Sequence, residues 1–252
     1  MALIALYFGS FNPLHKGHLA VAEYAVREGF ASEVWLVVSP HNPHKKASGL
    51  APEEERLEMA RRATENIEGV SVCDVEFGME RPSYTIRTIE RLKALYPDKE
   101  FAILGGGDVA QTIHSWREGE RLVAENKILI YPRDEFDDFG GPFVMLSGAP
   151  RLRISSTRVR ELIAEEGEWE SEVPEVVAEY IKEHRLYNYM AQQEIQRELA
   201  LGKEAFARSD FGAAKNHFGA VLRTDEKNVE AQQWLDMIED ILAFRHKDYY
   251  NP

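Results

Sequence analysis

Apolar positions along the chain follow two periods that alternate. Short runs of mostly consecutive apolar residues at 3–8, 33–38, 70–75, 101–104, 127–131 and 143–146 have the length and continuity of strands covered on both faces. Between them, apolar residues recur at helical spacing. Such stretches cover residues 17–28, residues 53 onward, where Leu57, Met59, Ala60 and Ala63 mark the inner face, and residues 84–95, where Ile86, Ile89, Leu92 and Leu95 do so. Pro52 and the acids Glu53 to Glu55 suit a helix start, because proline pre-sets φ and carboxylates favour the positive end of the helix dipole. Arg61 and Arg62 then fall on the solvated side. Helices are also expected after Ile154 and over residues 173–183. Strands alternating with helices predict an α/β domain built on a doubly wound parallel sheet.

From residue 190 onward the strand pattern ends and every stretch reads as helix. Leu201, Gly202, Phe211, Ala214, Phe218 and Val221 fall at the spacings of a tetratricopeptide repeat, with a break at Ser209 and Asp210 and a further helix over about 229–244. Ala205 stands where such repeats often carry an aromatic residue, and Glu226 where they often carry proline. The expected division is residues 1–189 and a small all-α module over 190–252. A single repeat buries its own apolar face poorly, so the module is expected to pack on the first domain, on a second copy or on a protein partner.

Composition narrows the classes. With 252 residues, 44% of them hydrophobic, the chain supports one ordinary core and a smaller appendage. No apolar run approaches the roughly 18 residues of a membrane span, and no basic segment followed by a long apolar one opens the chain, so a cytoplasmic location is expected. The lone Cys73 excludes an intrachain disulfide and reads as a small core residue. A net charge of -13 argues against nonspecific binding to nucleic acid or to an anionic membrane, which rests on excess Lys and Arg. A phosphate ligand needs only a local group of cations.

Such a group stands where the first strand meets the first helix, in Gly9-Ser10-Phe11-Asn12-Pro13-Leu14-His15-Lys16-Gly17-His18. Gly9 permits a sharp turn and close approach to a ligand, Pro13 fixes φ, and Gly17 clears the first helical turn. The N–H groups and dipole of a helix start attract phosphate, and His15, Lys16 and His18 add donors there. His15 and His18, three residues apart, can both sit at the helix mouth. Far downstream, Ile154-Ser155-Ser156-Thr157-Arg158-Val159-Arg160 puts three hydroxyls and two guanidinium groups at another helix start.

These two motifs, in this order and one domain apart, resemble the GxFxPxHxGH and ISSTxxR signatures of the HxGH nucleotidyltransferases. Within that superfamily the chain looks most like the bacterial nicotinate-nucleotide adenylyltransferases. Pro40-His41-Asn42-Pro43-His44-Lys45, Pro82-Ser83-Tyr84-Thr85, Leu104-Gly105-Gly106-Gly107-Asp108, Trp116 and Tyr131-Pro132-Arg133 carry the choice, and the likeness spans residues 1–187. The resemblance implies a Rossmann-like nucleotidyltransferase that moves the adenylyl group of ATP onto nicotinate mononucleotide, giving nicotinate adenine dinucleotide and pyrophosphate in NAD biosynthesis. It implies an ATP site at Gly9, Ser10, Phe11, Gly17, Ser155, Ser156 and Thr157. His18 would donate near the α-phosphate, His15 and the ISST helix would hold the outer phosphates, and Arg160 would neutralise the leaving pyrophosphate. Nicotinate mononucleotide would meet Lys45, Tyr84, Thr85, Asp108, Trp116 and Arg133. Mg2+ would arrive with ATP, since no sequence cluster resembles a protein cage for it.

On the residues alone several roles stay open. Asp108 either holds a ribose hydroxyl or a cation, or caps the next helix; Trp116 either stacks on the nicotinate ring or anchors the core. His41, His44, Lys45 and Lys46 either close over phosphate or line a solvated loop. Arg87 stands where the resembled family usually has an acid. The alternatives are a sibling transferase acting on pantetheine phosphate or nicotinamide mononucleotide, a class I aminoacyl-tRNA synthetase, which the lack of a KMSKS-like segment disfavours, and an inactive nucleotide-binding adaptor presenting the helical repeat.

Overall fold

The computed structural model describes residues 2–40, 50–132 and 140–248, with side chains for all of these except 188–193 and 243–248. The chain forms two compact units, Met1–Glu183 and His184–Pro252, dividing ahead of the expected boundary at residue 189.

In the first unit β1 (Leu3–Gly9), α1 (Lys16–Arg27), β2 (Glu33–Val38), α2 (Glu53–Thr64), β3 (Val70–Cys73), α3 (Thr85–Leu95), β4 (Glu100–Gly106), α4 (Gly107–Thr112), α5 (Gly119–Glu125), β5 (Lys127–Tyr131), β6 (Phe143–Met145), α6 (Ser156–Ala164) and α7 (Glu175–Glu183) follow one another. The strands make one sheet in the order β3-β2-β1-β4-β5-β6, and every pair is parallel. This is the expected doubly wound arrangement. The chain works outward from β1 to β3, then returns to lay β4 on the other side of β1, and ligands bind at such a switch point, beyond the carboxyl ends of the strands. The register places Gly9 beside Val38 and Tyr7 beside Leu104, so the turns after β1, β2 and β4 share one edge.

Ile4, Leu6, Val37, Ile103 and Ile128 of the sheet pack against Ile86, Ile89 and Leu92 of α3, which is why these strands read as continuous apolar runs. Cys73 is buried in that core, and burial pushes its thiol pKa up. The third strand is shorter than expected: it stops at Cys73, and a 3-10 turn over Val75–Gly78 carries Glu76 inward. There the Glu76 carboxylate accepts from Ser83 Oγ at 2.7 Å and Thr88 Oγ1 at 2.8 Å. The short helix α5 has no counterpart in the sequence reading, because seven residues span too few turns for a period to register. Its Arg121 binds Glu125 at 2.8 Å and Glu90 of α3 at 2.7 Å. Helix α7 docks on α2, with Tyr180 donating to Glu55 at 2.6 Å and the Arg62 guanidinium 4.4 Å above the Tyr180 ring.

The second unit consists of α8 (Tyr189–Ala207), α9 (Phe211–Thr224) and α10 (Val229–Asp248). Leu199, Ala214, Phe218, Val221, Ala231 and Ile238 form its core, and the Phe218 and Trp234 rings stack at 5.6 Å with 6° between planes. A Cβ on Gly202 would lie 2.6 Å from the Phe218 ring, so glycine is what lets α8 and α9 approach. The expected third helix meets the apolar face of the repeat within the unit itself. Helix α10 closes over it, and Leu199, Phe206, Phe218 and Trp234 belong to the unit's own cluster. No described helix is long and apolar enough to cross a membrane.

Candidate active site

The turn between β1 and α1 is buried, which is unusual for a connection: Ser10, Phe11, Asn12 and His15 are each 7% exposed or less. Glycine at position 9 answers an inward demand, because a Cβ there would come within 2.9 Å of the Phe11 ring. The left-handed residue is Phe11, with φ 44°, so the reversal falls two residues later than the sequence reading placed it. Gly17 serves the same purpose for His15, whose Nδ1 a Cβ would approach to 3.0 Å.

With Gly17 out of the way, the His15 and His18 rings stack at 3.6 Å and 23°. The backbone N–H of His15 donates to His18 Nδ1 at 3.2 Å, which puts the proton of the neutral His18 ring on Nε2. Phe11 and Tyr7 stand edge-on to His18 at 5.1 and 5.9 Å, and the Tyr7 hydroxyl is 2.9 Å from that of Tyr131. Packing on several sides holds the ring's orientation. Lys16 does not join the histidines as expected; its ammonium donates to the Ser171 carbonyl at 2.7 Å.

The second motif meets this turn directly. Ser155 caps α6, accepting from the Arg158 N–H at 3.1 Å. Ser156 Oγ donates to the Pro13 carbonyl at 2.9 Å, and Arg160 Nη1 to the Asn12 carbonyl at 2.7 Å. Two helix N-termini, more than a hundred residues apart in sequence, therefore open beside one turn, and their N–H groups and dipoles suit it to a polyphosphate. Thr157 lies 3.5 Å from Arg160 Nη2, whereas Arg158 turns to Glu161 and Glu165 of its own helix region at 3.6 and 3.4 Å.

A second group forms where α3 begins. Tyr84 precedes Thr85, the first residue of that helix, and the Arg117 guanidinium sits 4.6 Å over the Tyr84 ring. Trp116 packs with Tyr84 on the core cluster while its Nε1 donates to Thr112 Oγ1 at 3.3 Å. It is half-buried, with part of the ring anchored on the core. Buried Glu76, by gripping Ser83 and Thr88, holds this helix start from both sides. Gly105 lies within β4, where a Cβ would meet Val109 at 2.4 Å, and exposed Asp108 enters the first turn of α4, near its positive dipole end. Lys45 and Arg133, with His41, His44 and Lys46, lie outside the described residues. Among the described residues no three His, Cys, Asp or Glu side chains are grouped to hold a metal ion.

Two residues beside the turn had no role assigned from the sequence. Asn12 Oδ1 accepts from the Ala51 N–H at 3.0 Å. Arg56 is fully buried and donates to the carbonyls of Ser10, Ser39, Pro40 and Ala51 at 2.7 to 3.0 Å. A signal for Arg56 was present: it lies three, four and seven residues before Met59, Ala60 and Ala63, on the inner face of α2.

Comparison with known proteins adds the following. The chain matches the cytidylyltransferase-like family over residues 6–162. It is 39% identical over 189 residues to a probable nicotinate-nucleotide adenylyltransferase of Flavobacterium johnsoniae, a match covering 73% of this chain and 98% of that protein. A probable nicotinate-nucleotide adenylyltransferase of Bacteroides fragilis is 44% identical over 162 residues, covering 63% of this chain and 81% of that one. Among solved structures, the nicotinic acid mononucleotide adenylyltransferase of Plasmodium falciparum, complexed with NaAD, superposes with a TM-score of 0.64 at 23% identity, over 75% of this chain and 98% of that one.

Proposed function

The chain belongs to the cytidylyltransferase-like family, alongside bacterial nicotinate-nucleotide adenylyltransferases, and from that premise we propose how its own residues carry the reaction. The enzyme transfers the adenylyl group of ATP to nicotinate mononucleotide: a phosphate oxygen of the mononucleotide attacks the α-phosphorus, and pyrophosphate leaves. The observation that carries this reading is the meeting of α1 and α6 at one turn, through Ser156 to Pro13 and Arg160 to Asn12.

Catalysis of such a transfer rests on positioning and on stabilising charge rather than on a covalent intermediate. The Nε2–H of His18 donates to the α-phosphate as charge builds there. His15, the backbone N–H groups at the start of α1, and Ser155 to Thr157 hold the outer phosphates. Arg160 keeps one arm on Asn12 and turns the rest of its donor fork to the departing pyrophosphate, since a guanidinium has five donors. Nicotinate lies on Trp116, its carboxylate facing the Thr85 hydroxyl, the backbone near Trp116 and the Arg117 cation. Asp108 receives a ribose hydroxyl, and Lys45 and Arg133 meet the mononucleotide.

A Mg2+ ion arriving with ATP is a fitting partner for its phosphates, since this hard cation takes oxygen ligands and is commonly held by substrate phosphates. It would supply further charge neutralisation on the polyphosphate. The reaction belongs in the cytoplasm, where both nucleotides are available. An assay of pyrophosphate release with ATP and, in turn, nicotinate mononucleotide, nicotinamide mononucleotide and pantetheine phosphate tests the assignment. Nicotinate mononucleotide is expected to turn over fastest, and absence of turnover with all three acceptors would leave a nucleotide-binding adaptor.

A further inference from the structure

Among the described residues Arg56 is the largest side chain with essentially no exposure, and it is charged. A guanidinium leaves water only where its donors are satisfied. Here Nε meets the Ala51 carbonyl at 3.0 Å, Nη1 meets Ser10 at 2.7 Å and Ser39 at 2.8 Å, and Nη2 meets Pro40 at 2.8 Å. These carbonyls come from distinct places. Ser10 follows β1 in the proposed phosphate turn, Ser39 and Pro40 follow the neighbouring strand β2, and Ala51 precedes α2. Ala51 is also tied to the turn from the other side, through its N–H to Asn12 Oδ1 at 3.0 Å. Asn12 in turn gives its carbonyl to Arg160.

The carboxyl edge of a parallel sheet carries backbone carbonyl oxygens, whose partial negative charge opposes a bound polyphosphate. Arg56 gathers three of them from the protein side, those of Ser10, Ser39 and Pro40, together with the Ala51 carbonyl ahead of α2. These hydrogen bonds also lie in a medium of low dielectric, where a charge-assisted hydrogen bond is stronger than at an exposed site. We infer that Arg56 is a positioning residue for the adenylyl transfer: it fixes the turn after β1 against the end of β2 and makes that carbonyl-rich edge tolerant of the pyrophosphate portion of ATP. The inference rests on the adenylyltransferase reading and assigns a role to a residue that never touches substrate.

The test separates geometry from charge. Arg56→Lys retains the charge but loses the planar fork, and Arg56→Met removes both. For each folded variant, verified by circular dichroism, one measures kcat, the KM of each substrate, and the binding of inorganic pyrophosphate by calorimetry. Arg56→Lys is expected to bind pyrophosphate within about threefold of the wild type while kcat falls about tenfold or more, because small misplacements of reacting groups are costly. Arg56→Met is expected to weaken pyrophosphate binding about tenfold or more, with the KM of ATP rising more than that of the acceptor. Folded Arg56→Met with wild-type pyrophosphate affinity and wild-type ATP KM overturns the inference.

Should neither variant fold, the wild-type protein decides. The Arg56 Nε–H nuclear magnetic resonance signal, assigned through its own side-chain carbons, is expected to shift as pyrophosphate is added. A signal unmoved at saturating pyrophosphate overturns the proposal. A wild-type protein that binds pyrophosphate but turns over another acceptor in place of nicotinate mononucleotide overturns the acceptor assignment and leaves this inference standing. One that binds no pyrophosphate overturns both.

Discussion

At the scale of single residues, what decides function here is which atoms a side chain has already committed. His18 Nδ1 accepts from the His15 backbone, so in the proposed mechanism the donor to the α-phosphate is Nε2. His18→Ala is expected to lower kcat by roughly 100-fold with the fold retained, since one preorganised donor typically carries about that much; near-normal turnover in a folded variant would reduce His18 to a helix-start residue. In the proposed mechanism Arg117, over the Tyr84 ring, bears on acceptor choice. A carboxylate accepts from donors and cations, whereas the amide of nicotinamide mononucleotide is neutral and presents donors of its own. Arg117→Ala is therefore expected to shrink the acid-over-amide ratio about tenfold in a mixed-substrate assay, the scale of one charge-assisted hydrogen bond. An unchanged ratio would place the preference on Thr85 and the backbone. Both motifs were legible from their residue types, but Lys16 was misread and Arg56 passed over. Neither the partner of a lysine nor the polar filling of an inner face follows from residue type.

At the scale of elements, strands announced themselves because burial on both faces demands unbroken apolar runs, and the bounds of β2 and β5 coincide with those runs. Short pieces did not: α5 and the 3-10 turn holding Glu76 are set by neighbours. The seat of α7 on α2 is open to a pH test. Burial first, and then the hydrogen bond to Glu55, raises the Tyr180 pKa above that of an ordinary tyrosine. The folded chain thus keeps a proton that the unfolded chain loses above about pH 10, so this contribution is complete below that pH and fades as pH rises toward the folded value. Urea midpoints of wild type and Tyr180→Phe at pH 8 and pH 10.5 check it. The wild type is expected to be the more stable at pH 8, and its lead should narrow at the higher pH; a constant gap would assign Tyr180 a packing role only.

At the scale of the whole molecule, the described residues of the proposed site belong to Met1–Glu183, while α8 to α10 carry a core of their own. A chain ending at residue 189 is accordingly expected to retain its acceptor preference and most of its kcat. Measuring turnover and solution mass beside the full chain checks this, and loss of activity in a folded, unaggregated short form would make the second unit part of the site. The sequence by itself determined the succession of strands and longer helices, the doubly wound class and the two helix starts after Pro13 and Ile154, because periodicity and capping are local and are written into neighbouring residues. Only the tertiary structure decided that Ser156 and Arg160 close on Pro13 and Asn12, that Arg117 covers Tyr84, that Arg56 gathers the carboxyl edge, and that the helical unit buries its own aromatic residues. These contacts join residues distant in sequence, and what selects them is the pairing of parallel strands and the need to satisfy every buried donor, which no local pattern records.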